Sequence, residues 1–125
     1  MIIGIGIDIV DIARINTLLQ RHGMRFLKRI FSPEEIDYCM KRHDSASCIA
    51  GRFAVKEAAF KALSARRSSG ISFQDISVDI AHGAPQLRLT GKAHELSRLK
   101  GAGQYHVSIS HDKGCAVAVV ILENA

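Results

Sequence analysis

The amino-acid sequence predicts a single domain of the α+β class, on three observations. Its 125 residues match the usual length of one domain. No repeat, linker or low-complexity run divides them. Stretches with the helical period are mixed with strands of period two, and the two kinds do not alternate as β-α-β units would. We therefore expect one α+β domain spanning residues 1–125.

The chain begins with a predicted strand and two predicted helices. The segment MIIGIGIDIV alternates in period two, with isoleucines on one face and Gly4, Gly6 and Asp8 on the other. Asp11 is the expected cap of the helix IARINTLLQRH, which Gly23 ends or interrupts. MRFLKRIF follows as a short helix.

A capping box introduces the next helix, SPEEIDYCMKR. Ser32 is the expected N-cap, Pro33 occupies the first helical position, and Glu35 stands three residues after the cap. After the break HDSAS, we expect a long helix from about residue 48 to 67 that stops near Gly70.

The C-terminal half is predicted to consist of short strands and one helix. ISVDI alternates in period two, HGAP is a turn, and QLRLT is a short strand. GKAHELSRLK is a helix followed by the loop GAG. YHVSIS and CAVAVVIL are expected to pair as a hairpin across HDKG.

Composition and charge limit the class of protein. The formal charge of +5 and the isoelectric point of about 9.4 favour an anionic partner, such as phosphate esters, nucleic acid or an acidic protein. Cys39, Cys48 and Cys115 show no C-x-x-C spacing, so we expect buried free thiols in a reducing compartment. The longest apolar run, residues 115–122, is too short to span a bilayer, and no signal peptide is predicted. A cytoplasmic protein is expected.

Two acidic residues and a lysine are candidates for chemistry. Asp8 interrupts an isoleucine-rich strand, so either its face is exposed to solvent or the neighbouring glycines allow something large to approach. Glu57 and Lys61 form either an ordinary surface ion pair or part of a cleft above Ala50 and Ala54. Mg²⁺ typically takes one or two protein carboxylates and completes its shell with phosphate oxygens of the substrate. Asp8 and Glu57 could supply the two carboxylates, while Lys61 neutralises a phosphate.

Four basic residues fall within one sector of a helical wheel if the helix continues through Gly23. They are Arg14, Arg21, Arg25 and Lys28. The sector is either a solvated face or a docking strip for an acidic partner.

The segment SISHD does not form a hydrolase triad, because neighbours on a strand point to opposite faces. His111 is either structural or a hydrogen-bond partner of a phosphate or a base. A Walker-type phosphate loop is excluded, since the chain has no G-x-x-x-x-G-K-[ST] segment.

Four segments resemble motifs of the bacterial holo-acyl-carrier-protein synthases, in the short, trimeric branch of the 4'-phosphopantetheinyl transferase superfamily. They are IGIDIV at 5–10, RIFSPEE at 29–35, RFAVKEAAFKAL at 52–63 and SISHD at 108–112. G-I-D followed about fifty residues later by K-E-x-x-x-K is a specific pair, and the likeness covers essentially the whole chain. The resemblance implies a small domain of mixed antiparallel sheet with a long packed helix.

The resemblance also implies an activity. The enzyme would bind coenzyme A and Mg²⁺, move the 4'-phosphopantetheine arm to a serine of apo acyl carrier protein, and release adenosine 3',5'-bisphosphate, in support of fatty acid biosynthesis. By motif position, Asp8 and Glu57 would hold the metal and Lys61 would contact the pyrophosphate. Arg14 and its basic neighbours would meet the acidic helix of the carrier protein. Active sites would lie between the subunits of a homotrimer.

The remaining roles are expectations of the same resemblance and its chemistry. Glu57, directly or through a metal-bound water, is the candidate base for the serine proton. Arg52, His111 and Lys56 are candidates for the nucleotide end of coenzyme A. Val10 stands where the double-length branch carries a further carboxylate, so water and substrate would complete the metal shell.

Two other functions remain possible from the sequence. A small basic nucleic-acid-binding protein explains the charge, but the chain has few aromatic residues for stacking and no nucleic-acid motif. A Mg²⁺-dependent phosphohydrolase would use the same two carboxylates. We expect neither nucleic acid nor a membrane as the partner.

Overall fold

The structure, a computed structural model, describes residues 1–66, 69–81 and 83–124, and these include five α-helices, five strands and a short 3-10 helix at Phe73–Asp75. In chain order the α-helices and strands are β1 (Ile2–Asp11), α1 (Ile12–His22), α2 (Met24–Ile30), α3 (Pro33–Met40), α4 (Ser45–Ala62), β2 (Ile76–Ala81), β3 (Ala84–Leu89), α5 (Gly91–Leu99), β4 (Ala102–Asp112) and β5 (Cys115–Asn124).

The strands form two antiparallel sheets rather than one. The larger sheet has the order β1-β5-β4, and β2 and β3 pair as a separate hairpin. The predicted hairpin of β4 and β5 is confirmed, and it is longer than the alternating residues indicated because β4 already begins at Ala102. The α+β class is confirmed, and α4 packs on the larger sheet against β1 and β5.

Local capping residues set the helix boundaries as the sequence predicts. The side chain of Asp11 accepts a hydrogen bond from the backbone N–H of Ala13 and begins α1. Gly23, with φ of 52°, ends that helix, and α2 starts at the next residue. Both hydrogen bonds of the Ser32–Glu35 capping box are present at the start of α3.

The long helix α4 is shifted toward the N-terminus relative to the prediction. Asp44 caps it, so the helix begins at Ser45 instead of residue 48. It ends at Ala62, and Ser64 in the turn that follows has a φ of +52°. The predicted helix end at Arg67, and His82 in the predicted HGAP turn, lie outside the described residues. Among the described helices, none has the length and apolar character that a membrane crossing requires.

The two glycines of β1 allow that strand to lie directly on the backbone of α4. A Cβ added at Gly6 would overlap the carbonyl oxygen of Ala58, and one added at Gly4 would overlap that of Ala62. The expected close approach to the glycines is therefore confirmed, and the element that approaches them is the helix α4. Ala50 and Ala54 are completely buried. The cleft expected above these alanines is absent, because the space above them is filled by the protein itself.

The opposite face of β1 is apolar and exposed. Ile7 is 59 % exposed, and Ile5 and Ile9 are exposed to a similar extent. Residues that pair directly across antiparallel strands share a face. The register of β1 with β5 therefore extends this surface, which we call the outer sheet face; it comprises Ile5, Ile7, Ile9, Val117, Val119 and Ile121.

A buried ion pair joins α3, α4 and the β2–β3 hairpin. The ammonium of Lys56 lies 2.9 Å from Glu35 Oε1 and donates to the carbonyl oxygens of Phe73 and Ile76. Glu35 Oε2 accepts from the backbone N–H of Val78 at 3.1 Å. Burial lowers the pKa of the Lys56 amine. The expectation that Lys56 meets a nucleotide is wrong, because its ammonium is fully buried and has three partners within the protein.

Two of the three cysteines are joined. Cys39, in the last turn of α3, forms a disulfide with Cys48, in the first turn of α4. Cys115 is a free cysteine within the described residues. The prediction of three free thiols is therefore wrong for Cys39 and Cys48, because helix packing brings together two residues whose spacing matches no disulfide or metal motif.

Glu35→Gln tests the buried ion pair. The amide preserves the size of the side chain but leaves the Lys56 ammonium buried without a counter-charge, so we expect unfolding free energy to fall by about 3–5 kcal/mol. Urea unfolding followed by circular dichroism measures it. Asp37→Asn is the matched control on α3, because the Asp37–Lys41 pair is exposed and contributes at most about 1 kcal/mol. Equal effects of the two substitutions would contradict the role of the buried pair.

Candidate active site

Asp8 and Lys61 meet where β1 crosses the C-terminal half of α4. The Lys61 ammonium lies 3.1 Å from Asp8 Oδ1 and donates to the carbonyl oxygen of Ile7 at 2.9 Å. Asp8 lies on the same face of β1 as Gly6, so the close strand–helix contact delivers its carboxylate to this helix. The sequence pattern predicted that Asp8 and Lys61 belong to one site, and the structure brings them together.

The environment of the Asp8–Lys61 pair is better suited to binding a ligand than to stabilising the fold. The Asp8 side chain is 19 % exposed and that of Lys61 is 55 % exposed, so both groups can be reached from solvent. A partly exposed pair of this kind adds at most about 1 kcal/mol to stability. The pair therefore has accessible charges whose structural contribution is small.

Glu57 lies one helical turn before Lys61 and lines a cavity. Residues four apart on a helix share a face, so Glu57 and Lys61 project from the same side of α4. Glu57 is half-buried. The cavity has a volume of about 560 Å³, and its other walls are Arg29, Phe60, Ala65, Ile71, Ser72 and Phe73. Glu57 and Lys61 thus project from one side of α4, where Lys61 meets Asp8 of β1, and Glu57 lines a space that can admit a ligand.

The donor set at this position fits a hard divalent cation only in part. Carboxylate oxygens such as those of Asp8 and Glu57 are the ligands that Mg²⁺ prefers. In the described part of the chain, no group of three or more His, Cys, Asp or Glu side chains is placed to hold a metal ion. A cation here would therefore take two protein carboxylates and complete its shell with water or substrate oxygens.

Arg52 occupies a different position on the same helix. It is 5 % exposed, and its guanidinium carbon lies 4.5 Å from the centre of the Tyr38 ring. Its Nε and Nη2 atoms are buried, and neither has a hydrogen-bond partner in the described residues. Burial lowers the pKa of this guanidinium. Lys61 is nine positions after Arg52, which is roughly 13 Å along the helix axis and half a turn around it. The structure does not bring these two predicted ligands of coenzyme A together.

His111 lies beside the first turns of α4. Its Nε2 is 3.0 Å from the carbonyl oxygen of Ser47 and donates to it, because a carbonyl only accepts. The ring also packs on Gly51, where an added Cβ would lie 3.0 Å from Nε2. Hydrogen bonds from Ser47, chiefly from its hydroxyl, lower the pKa of the capping residue Asp44. His111 has a structural partner and is also exposed.

The four basic residues lie on two helices rather than on one. Gly23 divides them, with Arg14 and Arg21 on α1 and Arg25 and Lys28 on α2. All four are exposed. Arg25 lines a cavity between α1 and α2, whereas Lys28 lines an apolar groove between α2 and α3. The condition under which the four residues share one sector of a wheel is not met, because the helix ends at Gly23.

Several residues around these groups were not identified from the sequence. Tyr38 covers Arg52, and Arg29 and Phe73 line both the Glu57 cavity and the neighbouring cavity with Arg25. They come from α2, α3 and the segment before β2. No spacing within the chain connects them, so only the tertiary structure could show that they lie together.

Comparison with known proteins shows which family the chain resembles. A family model of the 4'-phosphopantetheinyl transferase superfamily matches residues 4–119. The holo-[acyl-carrier-protein] synthase of Trichlorobacter lovleyi is 47 % identical over 124 residues, covering 98 % of each chain.

Two solved structures resemble the chain in sequence and fold. The crystal structure of Helicobacter pylori holo-[acyl-carrier-protein] synthase in complex with coenzyme A is 42 % identical, has a TM-score of 0.83, and the match covers 95 % of this chain and 99 % of that one. The crystal structure of the Neisseria meningitidis synthase is 30 % identical and has a TM-score of 0.89. The match covers 99 % of this chain and 100 % of that one. The chain is therefore a transferase enzyme that belongs to the holo-[acyl-carrier-protein] synthase family of the 4'-phosphopantetheinyl transferase superfamily.

Proposed function

We propose that the chain transfers the 4'-phosphopantetheine group of coenzyme A to a serine of apo acyl carrier protein and releases adenosine 3',5'-bisphosphate, in support of fatty acid biosynthesis. The named relatives and the coenzyme A complex of the Helicobacter pylori enzyme support the proposal. The observation that carries it is the contact of Asp8 with Lys61 next to the Glu57 cavity. We place the reaction in the cytoplasm, where both proposed substrates are found.

The reaction needs charge stabilisation and positioning more than covalent chemistry. The serine oxygen forms a bond to the phosphorus that carries pantetheine, and the bond from that phosphorus to the bridging oxygen breaks. An ammonium has three N–H donors, and the contacts with Ile7 and Asp8 use two of those of Lys61. We propose that its third donor faces a phosphate oxygen, so that Lys61 orients Asp8 and neutralises the pyrophosphate at once.

Glu57 has two proposed roles, as a metal ligand with Asp8 and as acceptor of the serine proton. A Mg²⁺ ion held by these carboxylates would neutralise the charge that develops on the leaving group. Val10 is buried and apolar, so the described residues offer no further carboxylate at that position of β1. Glu57 lines the cavity, and we propose that the acceptor serine enters through it.

Arg52 and His111 remain the proposed contacts for the nucleotide end of coenzyme A. Two nitrogens of Arg52 have no hydrogen-bond partner among the described residues, and the burial of such donors is unfavourable until an acceptor is supplied. His111 lies near the same end of α4, through its bond to Ser47. This end is distant from Lys61, so the nucleotide and the pyrophosphate would use separate parts of the helix.

Self-association forms part of the proposal. The outer sheet face is a contiguous set of apolar side chains on β1 and β5 with several members largely exposed. A surface of this kind is typical of a subunit interface. We propose a homotrimer with active sites between its subunits, as the family resemblance implies.

Mass spectrometry of apo carrier protein incubated with the chain, coenzyme A and Mg²⁺ tests the activity. We expect a mass increase equal to one phosphopantetheine group, at the acceptor serine. Breakdown of coenzyme A at the same rate without carrier protein would favour a phosphohydrolase instead. Retention of oligonucleotides at physiological salt, with no transfer, would favour a nucleic-acid-binding protein.

Glu57→Gln tests the catalytic assignment. The amide is isosteric but neither takes a proton nor neutralises a cation, so we expect turnover to fall by about two orders of magnitude or more. Thermal unfolding should stay close to that of the unsubstituted chain. Glu34→Gln, an exposed carboxylate in the first turn of α3, is the control and should leave turnover unchanged. Near-normal transfer by Glu57→Gln would remove this residue from the mechanism.

Charge reversal on α1 tests carrier docking. Arg14→Glu with Arg21→Glu should raise the KM for carrier protein by about tenfold or more and leave the KM for coenzyme A unchanged, because only the carrier meets this surface. Arg98→Glu with Lys100→Glu, at the exposed end of α5, makes the same change in net charge elsewhere. A docking role would be contradicted if the α1 variant raised the KM for carrier protein and the KM for coenzyme A equally. It would also be contradicted if the α1 and α5 variants raised the KM for carrier protein equally.

Ile7→Asp tests the proposed assembly. A carboxylate in the middle of the outer sheet face would be buried without a partner in a trimer, so sedimentation should show monomers. Leu99→Asp places the same charge on another exposed apolar residue, 71 % exposed on α5, and should leave the assembly intact. An Ile7→Asp chain that sediments like the unsubstituted one would show that this face is no interface.

A further inference from the structure

Besides side-chain packing, an ion pair and a disulfide attach α3 to α4. Near the N-terminal end of α3, the buried Glu35–Lys56 pair holds the helix. At its C-terminal end, Cys39 is bonded to Cys48 across a turn, residues 41–44, that is exposed throughout. Breaking the disulfide would therefore release one end of α3 and leave the other end fixed.

The released end carries the side chain that covers Arg52. Tyr38 directly precedes Cys39, and its ring lies 4.5 Å from the guanidinium carbons of both Arg52 and Arg42. Arg42 also donates to the Tyr38 hydroxyl at 2.5 Å. With α3 held in this position, Arg52 is 5 % exposed and cannot contact an anion in solvent. Access to Arg52 therefore requires that Tyr38 move.

The covered state leaves donors unsatisfied. Nε and Nη2 of Arg52 are buried without a hydrogen-bond partner among the described residues. Buried donors of this kind are unfavourable, and a phosphate oxygen satisfies guanidinium donors well. Arg52 thus favours an open, anion-bound state, whereas the disulfide maintains the closed one.

We propose that the Cys39–Cys48 disulfide is a redox-sensitive modification site that keeps Tyr38 over Arg52, so that reduction by a dithiol opens the anion site. The inference rests on the proposed function, in which Arg52 binds the phosphate-bearing nucleotide end of coenzyme A. Disulfides of proteins in a reducing compartment are usually transient or redox-sensing, which fits a chain proposed to work in the cytoplasm.

The reduction is a two-electron thiol–disulfide exchange. A thiolate of the dithiol attacks the sulfur of Cys48, which at 8 % exposure is the more accessible of the two, and Cys39 leaves as a thiolate that takes up a proton. The second thiol of the reductant then displaces Cys48, which also ends as a thiol. The reductant becomes a cyclic disulfide, so electrons and protons balance.

Binding of adenosine 3',5'-bisphosphate to the full chain tests the inference. This probe has no thiol and cannot itself exchange with the disulfide, unlike coenzyme A. Thiol titration should give one reactive thiol per chain before dithiothreitol and three after it, under denaturing conditions. By calorimetry, we expect the reduced chain to bind the probe about tenfold tighter or more, as one charge-assisted contact is gained.

Three variants distinguish opening of the Arg52 site from a general loosening of the fold. Cys39→Ser with Cys48→Ser should bind tightly with or without dithiothreitol, whereas the control Cys115→Ser should keep the full dependence. Tyr38→Ala with the disulfide intact should bind like the reduced chain, because the cover is removed while both helix attachments remain. A Tyr38→Ala chain that still requires reduction would overturn the role of the ring.

The outcomes distinguish this inference from the proposed function. If oxidised and reduced chains bind the probe equally, or the oxidised chain binds it more tightly, the redox inference is overturned, and transfer to carrier protein still decides the function. If neither form binds the probe and neither transfers phosphopantetheine, both are overturned. Tighter binding by the reduced chain, abolished by the serine pair, supports the inference.

Discussion

The contact between β1 and α4 determines where the side chains of the candidate site lie. Gly4 and Gly6 leave no Cβ between the strand and the helix backbone, so the two elements approach as closely as main chains allow. Asp8, two residues after Gly6 on the same face, then reaches Lys61. A larger side chain at Gly6 would separate the elements and move the carboxylate away from the ammonium. The site is therefore a consequence of backbone packing.

The same strand serves two surfaces because successive side chains point in opposite directions. Its glycine face supports α4 and the catalytic candidates, and its isoleucine face is exposed to solvent. In the proposed trimer the isoleucine face would be buried between subunits. Burial of that face would in turn fix β1, and through it Asp8, so assembly and catalysis would depend on one ten-residue strand.

Sequence reasoning succeeded where the signal was local and failed where it depended on distant contacts. The Asp11 cap, the break at Gly23 and the Ser32–Glu35 capping box follow from neighbouring residues, and the structure has all three. The disulfide joins residues 9 positions apart, and the buried Glu35–Lys56 pair joins residues 21 positions apart. Both contacts form between packed helices. The small residues on β1 and α4 correctly indicated that something approaches these elements closely. The pattern does not show whether the approaching group is a helix or a phosphate.

The most direct test is a crystal structure of the chain with coenzyme A and Mg²⁺. We expect one cation bound by carboxylate oxygens of both Asp8 and Glu57 at about 2.0–2.1 Å, with phosphate oxygens of coenzyme A and water in the remaining positions. A cation held by only one of these carboxylates, or a pyrophosphate bound away from Lys61, would contradict this expectation.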